Sequence, residues 1–212
     1  MTRRNSFRKR SLDRSEQREA ESRALTELDR AREPLFRELQ VLERNRDYNK
    51  GREPHRCCTR EFNQMRITPL EANAIAKAFK TRPELRRRLS SVMRRLERAL
   101  PGLSDNDERQ NFDCPLLEGT RCLVHESAKP IGCTAWHPPE DGQDARFTDT
   151  AWRTFATRDE LNDRVYGKDW KLRVIPLWLK RVFRRELKVF QDREKGQAGP
   201  RNDRQGERGE PR

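Results

Sequence analysis

No stretch of this chain is apolar for long enough to cross a bilayer, and apolar residues make up only 32% of it. Charged residues account for 39%, so the chain lacks the apolar material to pack all 212 residues into one core. No apolar segment follows the adjacent arginines Arg3 and Arg4, which argues against a signal peptide. We therefore predict a cytoplasmic protein with no membrane partner, in a compartment that keeps thiols reduced.

The signature motifs of several enzyme classes are also missing. The chain has no glycine-rich phosphate loop, no His-Glu-x-x-His pair and no serine-centred elbow. Asp113 and Glu118 lie close to cysteines and could act as bases, but we interpret them as solvated loop carboxylates. No catalytic set emerges, so the sequence leaves open whether the protein is an enzyme.

Five cysteines are present, and an odd number cannot all pair within one chain. They follow the pattern Cys-Cys, a long insert, then Cys-x7-Cys-x10-Cys. In a reducing compartment, clustered cysteines indicate metal or redox chemistry more often than disulfides. Four thiolates suit a tetrahedral zinc site or an iron–sulfur cluster equally well. The predicted metal ligands are Cys57, Cys58, Cys114, Cys122 and Cys133.

The ligand choice within this set follows from position. We take Cys114, Cys122 and Cys133 as the firmest three. The fourth is Cys57 or Cys58, since neighbouring side chains in an extended chain point in opposite directions. The remaining thiol is then a labile ligand or a redox partner.

Histidine is scarce, and each of the three histidines lies within four residues of a cysteine. His55 precedes Cys57, His125 follows Cys122, and His137 follows Cys133. Imidazole is the other common ligand of zinc and iron, so the histidines are candidate additional ligands. The alternative interpretation is that turn-rich loops collect such residues.

The cysteine motifs, taken in order, resemble those of a known family. Cys57-Cys58 comes first, then Thr68-Pro69-Leu70-Glu71, then Cys114-Pro115-Leu116 with Cys122, and finally Lys129-Pro130-Ile131-Gly132-Cys133. This order is similar to that of the YkgJ-like cysteine-cluster family, whose pattern is CxxCxxCC, a Thr- or Ser-led helix containing Glu, then CPxL…C…RPxxC. The resemblance covers about residues 51–137 and implies a zinc- or iron-chelating domain.

Departures from that pattern reduce the number of cysteines available to the site. Gly51 and Pro54 stand where the two leading cysteines of CxxCxxCC would fall, and Lys129 stands where arginine is usual. The resemblance therefore implies one centre with four ligands and a spare cysteine, in place of a larger cluster.

Apolar periodicity predicts several helices. Leucines at helical spacing over 25–47 predict a pair of helices that break at Pro34. The capping-box residues Thr68 and Glu71 predict a helix start, a second helix follows over 83–100, and a third begins at Thr157. The last amphipathic helix covers 175–193, whereas 114–140 is predicted as a short hairpin and irregular chain.

The predicted fold class is therefore mainly α, with a small irregular or hairpin cysteine cluster and disordered tails at both ends. Residues 1–24 form a basic arm that is disordered or partly helical, residues 25–193 form the metal-binding domain, and residues 194–212 form the disordered tail.

Charge suggests a second class of partner. The net charge is +13, and a basic excess attracts nucleic acids and other polyanions through counterion release, although an arginine-rich solvated surface would look the same. The candidate nucleic-acid residues are Arg86, Arg87, Arg94, Arg95, Lys180, Arg181, Arg184 and Arg185. The leading function is metal binding in a structural or redox role. The alternative is a basic module associated with RNA or the ribosome, in which the metal is only structural.

Overall fold

The computed structural model describes residues 13–44, 55–105, 109–136 and 148–197, and these residues are mainly helical, as predicted. The helices are α1 (Arg14–Arg44), α2 (Pro69–Thr81), α3 (Pro83–Ala99), α4 (Ile131–Ala135), α5 (Asp149–Tyr166), α6 (Ile175–Val182) and α7 (Arg184–Gln197). The strands are β1 (Arg66–Ile67), β2 (Leu117–Glu118), β3 (Arg121–Cys122) and β4 (Arg173–Val174). Over these ranges no helix has the length and apolar character to span a membrane.

Helix α2 lies at the centre of the fold and begins where its capping box predicts. The Thr68 hydroxyl accepts the Glu71 N–H at 3.2 Å, and the Glu71 carboxylate accepts the Thr68 N–H at 2.9 Å. Helices α1, α3, α5 and α6 all pack against α2. Its side chains Leu70, Ile75 and Phe79 are consequently buried within the main apolar core.

Helix α1 runs past Pro34 without a break, so the predicted interruption is wrong. Proline removes one backbone hydrogen bond of a helix, at a cost of about 3 kcal/mol in a helix interior. Leu28 and Leu35, on either side of that point, are both buried, and α1 packs along α5. Tertiary packing of one continuous apolar stripe therefore outweighs the local preference. The helix also includes residues 14–24, so this part of the predicted arm is helical.

Three other boundaries differ from the sequence prediction. Helix α5 starts after Thr148, whose hydroxyl accepts the Ala151 N–H at 3.1 Å, and Thr157 lies inside the helix with its hydroxyl on the Arg153 carbonyl. The last predicted helix divides into α6 and α7 at Phe183. A short helix, α4, stands within the stretch predicted to be irregular. The disorder predicted for the two tails falls largely on 1–12 and 198–212, which lie outside the described residues.

Of the two antiparallel strand pairs, one joins distant parts of the chain and the other is a local hairpin. Arg66 pairs with Val174, which ties the segment before α2 to the segment before α6. Leu117 pairs with Cys122 in the β2–β3 hairpin, as the hairpin prediction required. Gly119 forms its turn with a φ of +59°, a left-handed conformation that favours glycine.

Candidate metal centre

The vicinal cysteines lie in a one-turn 3-10 helix, Arg56–Cys58. The Cys57 and Cys58 sulfurs are 3.9 Å apart. The expectation that the two side chains point in opposite directions is therefore wrong, because it assumed extended chain. Two thiolates on one tetrahedral zinc ion are about 3.8 Å apart when each Zn–S bond is about 2.3 Å. The observed spacing is thus within reach of a shared metal.

Cys114 is attached directly to this turn. Its N–H donates to the Cys58 carbonyl at 2.9 Å, and its thiol is hydrogen-bonded to the Cys58 thiol. Two further bonds hold the same pair of segments together. The Phe112 N–H donates to the Asn63 carbonyl at 3.1 Å, and the Arg60 N–H donates to an Asp113 carboxylate oxygen at 2.9 Å. Asp113 therefore joins these segments.

Cys122 and Cys133 reach the same region from the hairpin and from α4. Cys122 is the last residue of β3, where the Leu123 N–H donates to the Leu116 carbonyl at 2.9 Å. Cys133 lies in the middle of α4. Both side chains pack against the apolar core, as does Cys58, while Cys114 is part of that core.

The thiols form one electrostatic group. The hydrogen bond to Cys114 raises the pKa of the Cys58 thiol to about 12. The hydrogen bond to Cys57 lowers this pKa, whereas burial raises it. Burial, followed by the nearby Cys122 and Cys58, raises the pKa of Cys133 well above its ordinary value. Burial also raises the pKa of Cys122, and the hydrogen bond to Cys58 raises that of Cys57. The five cysteines thus lie within electrostatic reach of one another.

The group is thiol-rich but is not arranged around a metal ion as it stands. Within the part of the chain that the structure describes, no three His, Cys, Asp or Glu side chains form a group that could hold a metal ion. Binding would require the sulfurs to converge further. The donor set itself fits zinc or iron, both of which favour thiolate ligands.

Three charged side chains from separate helices fix the backbone around these cysteines, and we call them the braces: Glu71, Arg95 and Arg32. A Glu71 oxygen accepts the Ile131 N–H of α4 at 2.8 Å. Arg95 donates to the Pro115 carbonyl, next to Cys114, at 2.8 Å. Arg32 donates to the Ser127 carbonyl, between Cys122 and Cys133, at 2.7 Å.

Sequence reasoning missed the function of the braces. Glu71 is recognisable only as a helix cap, Arg95 only as one charge of a basic helix, and Arg32 carries no local signal. Each acts on backbone that is 20 to 95 residues away along the chain. Such contacts are set by helix packing and leave no periodic pattern.

The histidines differ in their surroundings. His55 stands at the start of the 3-10 turn, and its Nδ1 atom is buried without a hydrogen-bond partner. His125 lies 3.2 Å from the Glu43 carboxylate and packs edge-on against Phe36 of α1. His137 lies outside the described residues. His55 is thus the histidine whose described environment leaves a buried nitrogen available to a ligand.

Lys129 supplies a positive charge that acts on three of the thiols. Its charge opposes the increase in pKa at Cys57, Cys122 and Cys133. A positive charge there favours the thiolate form, which is the form that binds metal. Lys129 therefore carries the same positive charge as the arginine that is usual at this position of the YkgJ-like pattern.

Comparison with known proteins adds no assignment. No family model, no curated protein and no solved structure matches this chain.

Proposed function

We propose that this chain holds one zinc or iron centre, an iron–sulfur cluster included, through cysteine thiolates. The observation that carries the proposal is the convergence of thiols from the 3-10 turn, the loop before β2, strand β3 and helix α4. The order of motifs that resembles the YkgJ-like cysteine-cluster family supports the same function, and membership of that family is part of the proposal. Gly51 and Pro54, which replace its leading cysteines, lie outside the described residues.

The proposed ligands are Cys58, Cys114, Cys122 and Cys133. These four side chains belong to the core or pack against it. Cys58 also bonds to Cys114 through both its carbonyl and its thiol. Cys57, 3.9 Å from Cys58, is then the spare thiol, and His55 is the candidate replacement ligand.

A metal at this position would stabilise the fold. It would connect the segment before α2, the loop after α3 and the short helix α4. Binding free energy at such a site becomes folding free energy, because the unfolded chain has no formed site. Zinc would supply a structural link without redox chemistry, whereas iron would add electron transfer.

Anaerobic purification followed by elemental analysis and a visible spectrum tests the proposal. We expect one equivalent of tightly held metal in the full chain. Zinc without visible absorbance indicates a structural site, and iron with acid-labile sulfide and charge-transfer bands indicates a cluster. Folded protein that carries no metal, and takes up neither zinc nor iron anaerobically, contradicts the proposal.

Metal affinity should increase steeply with pH. Cys58, Cys122 and Cys133 have raised pKa values, so these thiols retain their protons near neutral pH and must release them to bind metal. Release of three protons strengthens apparent affinity by about three orders of magnitude per pH unit. Competition with a chromophoric chelator between about pH 6 and 8, corrected for the chelator's own protonation, measures this slope. A slope near zero would mean that these thiols are not the ligands.

A further inference from the structure

The outward side of α3 carries a stripe of arginines. Arg87, Arg94 and Arg98 are spaced seven and four residues apart, so they share one face of the helix. All three are exposed, while Leu85 and Leu96 on the opposite face are buried. At a rise of 1.5 Å per residue, the stripe is about 16 Å long.

Helix α7 packs beside α3 and extends the positive charge. Arg184, Arg185 and Lys188 of α7 are exposed. The Arg94 guanidinium lies 6.0 Å from the centre of the Phe190 ring of α7, which places it at the junction of the two helices. We call these six residues the basic surface: Arg87, Arg94, Arg98, Arg184, Arg185 and Lys188.

The charge of this surface is largely uncompensated, unlike that of other cations nearby. Arg95 lies 3.6 Å from Glu118, and Arg181 lies 3.3 Å from Asp105. In contrast, no carboxylate among the described residues comes within 4.0 Å of five members of the surface. Those five are Arg87, Arg98, Arg184, Arg185 and Lys188.

This pattern refines the set predicted from sequence. Arg95 braces the Pro115 carbonyl and Arg181 is bonded to Asp105, so their charges are already engaged. Arg86 donates to the Lys80 carbonyl at 2.6 Å. Lys180 is exposed, but it lies on α6 and not on α3 or α7. Arg98 and Lys188 join the surface although the sequence prediction omitted them.

We propose that the basic surface binds the phosphate backbone of a nucleic acid duplex. Exposed cations on adjacent helices can contact successive backbone phosphates, and this contact releases condensed counterions. Among the described residues, the exposed aromatic side chains are Phe62 and Trp152, and neither lies on α3 or α7. Val189 is the exposed large apolar residue of α7. Base stacking and insertion into lipid both need such side chains at the surface, so backbone contact to a duplex is favoured. This surface is separate from the cysteines and does not depend on the proposed function.

The test compares two variants of the full chain that lose the same number of charges. The surface variant carries Arg87→Gln, Arg98→Gln, Arg185→Gln and Lys188→Gln. The control variant carries Arg18→Gln, Arg30→Gln, Arg153→Gln and Lys168→Gln, at exposed positions on α1, on α5 and just after α5. Fluorescence anisotropy measures binding to RNA duplex, DNA duplex and single-stranded RNA, and a parallel series uses anionic vesicles.

We expect the natural chain to bind duplex with an affinity that falls about a thousandfold between about 50 and 200 mM salt. The surface variant should bind about a hundredfold more weakly at about 100 mM salt, with a log–log salt slope shallower by about 3 to 4. The control variant should stay within about threefold of the natural chain, since its cations lie outside the contact. Equal losses in the two variants, salt-insensitive binding, or binding to vesicles alone would overturn the proposal. The RNA and DNA arms identify which duplex is preferred.

Discussion

Replacing Cys114, Cys122 and Cys133 together with serine is expected to remove all bound metal. Serine keeps the size of the side chain but is a poor ligand at neutral pH, so Cys58 is the single proposed ligand that remains, and the vicinal pair Cys57-Cys58 lacks the four donors of a closed site. At a metal concentration about a thousandfold above Kd, the natural chain gains about 4 kcal/mol from the ion, and the variant should gain none. For a domain of this size, that difference corresponds to about 8–16 °C in Tm. Elemental analysis and melting with and without added metal measure both effects.

The single variants Cys57→Ser and Cys58→Ser provide the matched comparison. They change neighbouring residues of one turn, and the Cys58 carbonyl accepts the Cys114 N–H while the Cys58 side chain packs on the core. We expect Cys57→Ser to retain full metal and Cys58→Ser to bind at least about tenfold more weakly, as expected for loss of a ligand. Full metal content in the triple variant would falsify the proposed site, and a reversed order of the single variants would exchange the roles of the two thiols.

Glu71→Ala should destabilise the metal-free protein by about 3–5 kcal/mol. Glu71 is 3% exposed, and its carboxylate accepts the Ile131 N–H and the Thr68 N–H at 2.8 and 2.9 Å. Arg158, almost buried, lies 4.0 Å from the same carboxylate. Alanine leaves three buried donors, the Ile131 and Thr68 N–H groups and the Thr68 hydroxyl, without their acceptor. It also removes a negative charge beside Arg158, which keeps its bond to Asp159 at 2.8 Å. Urea unfolding followed by circular dichroism gives the change in free energy.

Glu84→Ala is the control for this change. Glu84 occupies the first turn of α3, as Glu71 does in α2, but its side chain is exposed. Its loss should therefore change the free energy of unfolding by about 0.5 kcal/mol or less. Similar costs for the two variants would show that Glu71 acts only as an ordinary helix-end charge. In that case the bond to Ile131 would contribute nothing to the position of α4.

Glu71 also shows how far the sequence carries the fold. The capping box with Thr68 is a local pattern, and it places the start of α2 correctly. The other oxygen of the same carboxylate accepts the Ile131 N–H, 60 residues further along the chain. No local sequence pattern near either residue predicts that bond. Packing of α2 against its neighbours decides it. Local chemistry therefore predicts the helix, while its connection to the cysteine region needs the three-dimensional arrangement.

Pro34 and the vicinal cysteines show the opposite kind of limit. At Pro34 the local preference for a break is real, but the buried stripe that contains Leu28 and Leu35 outweighs it. At Cys57 the assumption of extended chain gave the wrong side-chain directions, because the chain forms a 3-10 turn. Spacing and the expected compartment single out the five cysteines as a set, and the structure places them within electrostatic reach of one another. Their division into ligands and spare thiol required burial and hydrogen bonding.

The position of α1 has a consequence for synthesis. This helix leaves the ribosome before α5, yet α5 is the element on which it packs most extensively. Its apolar stripe, including Leu28 and Leu35, therefore has no contact with α5 while the intervening chain is translated. At about 5–20 residues per second, the wait lasts on the order of ten seconds. Throughout that interval the nascent chain presents an amphipathic helix that a chaperone can hold until α5 emerges.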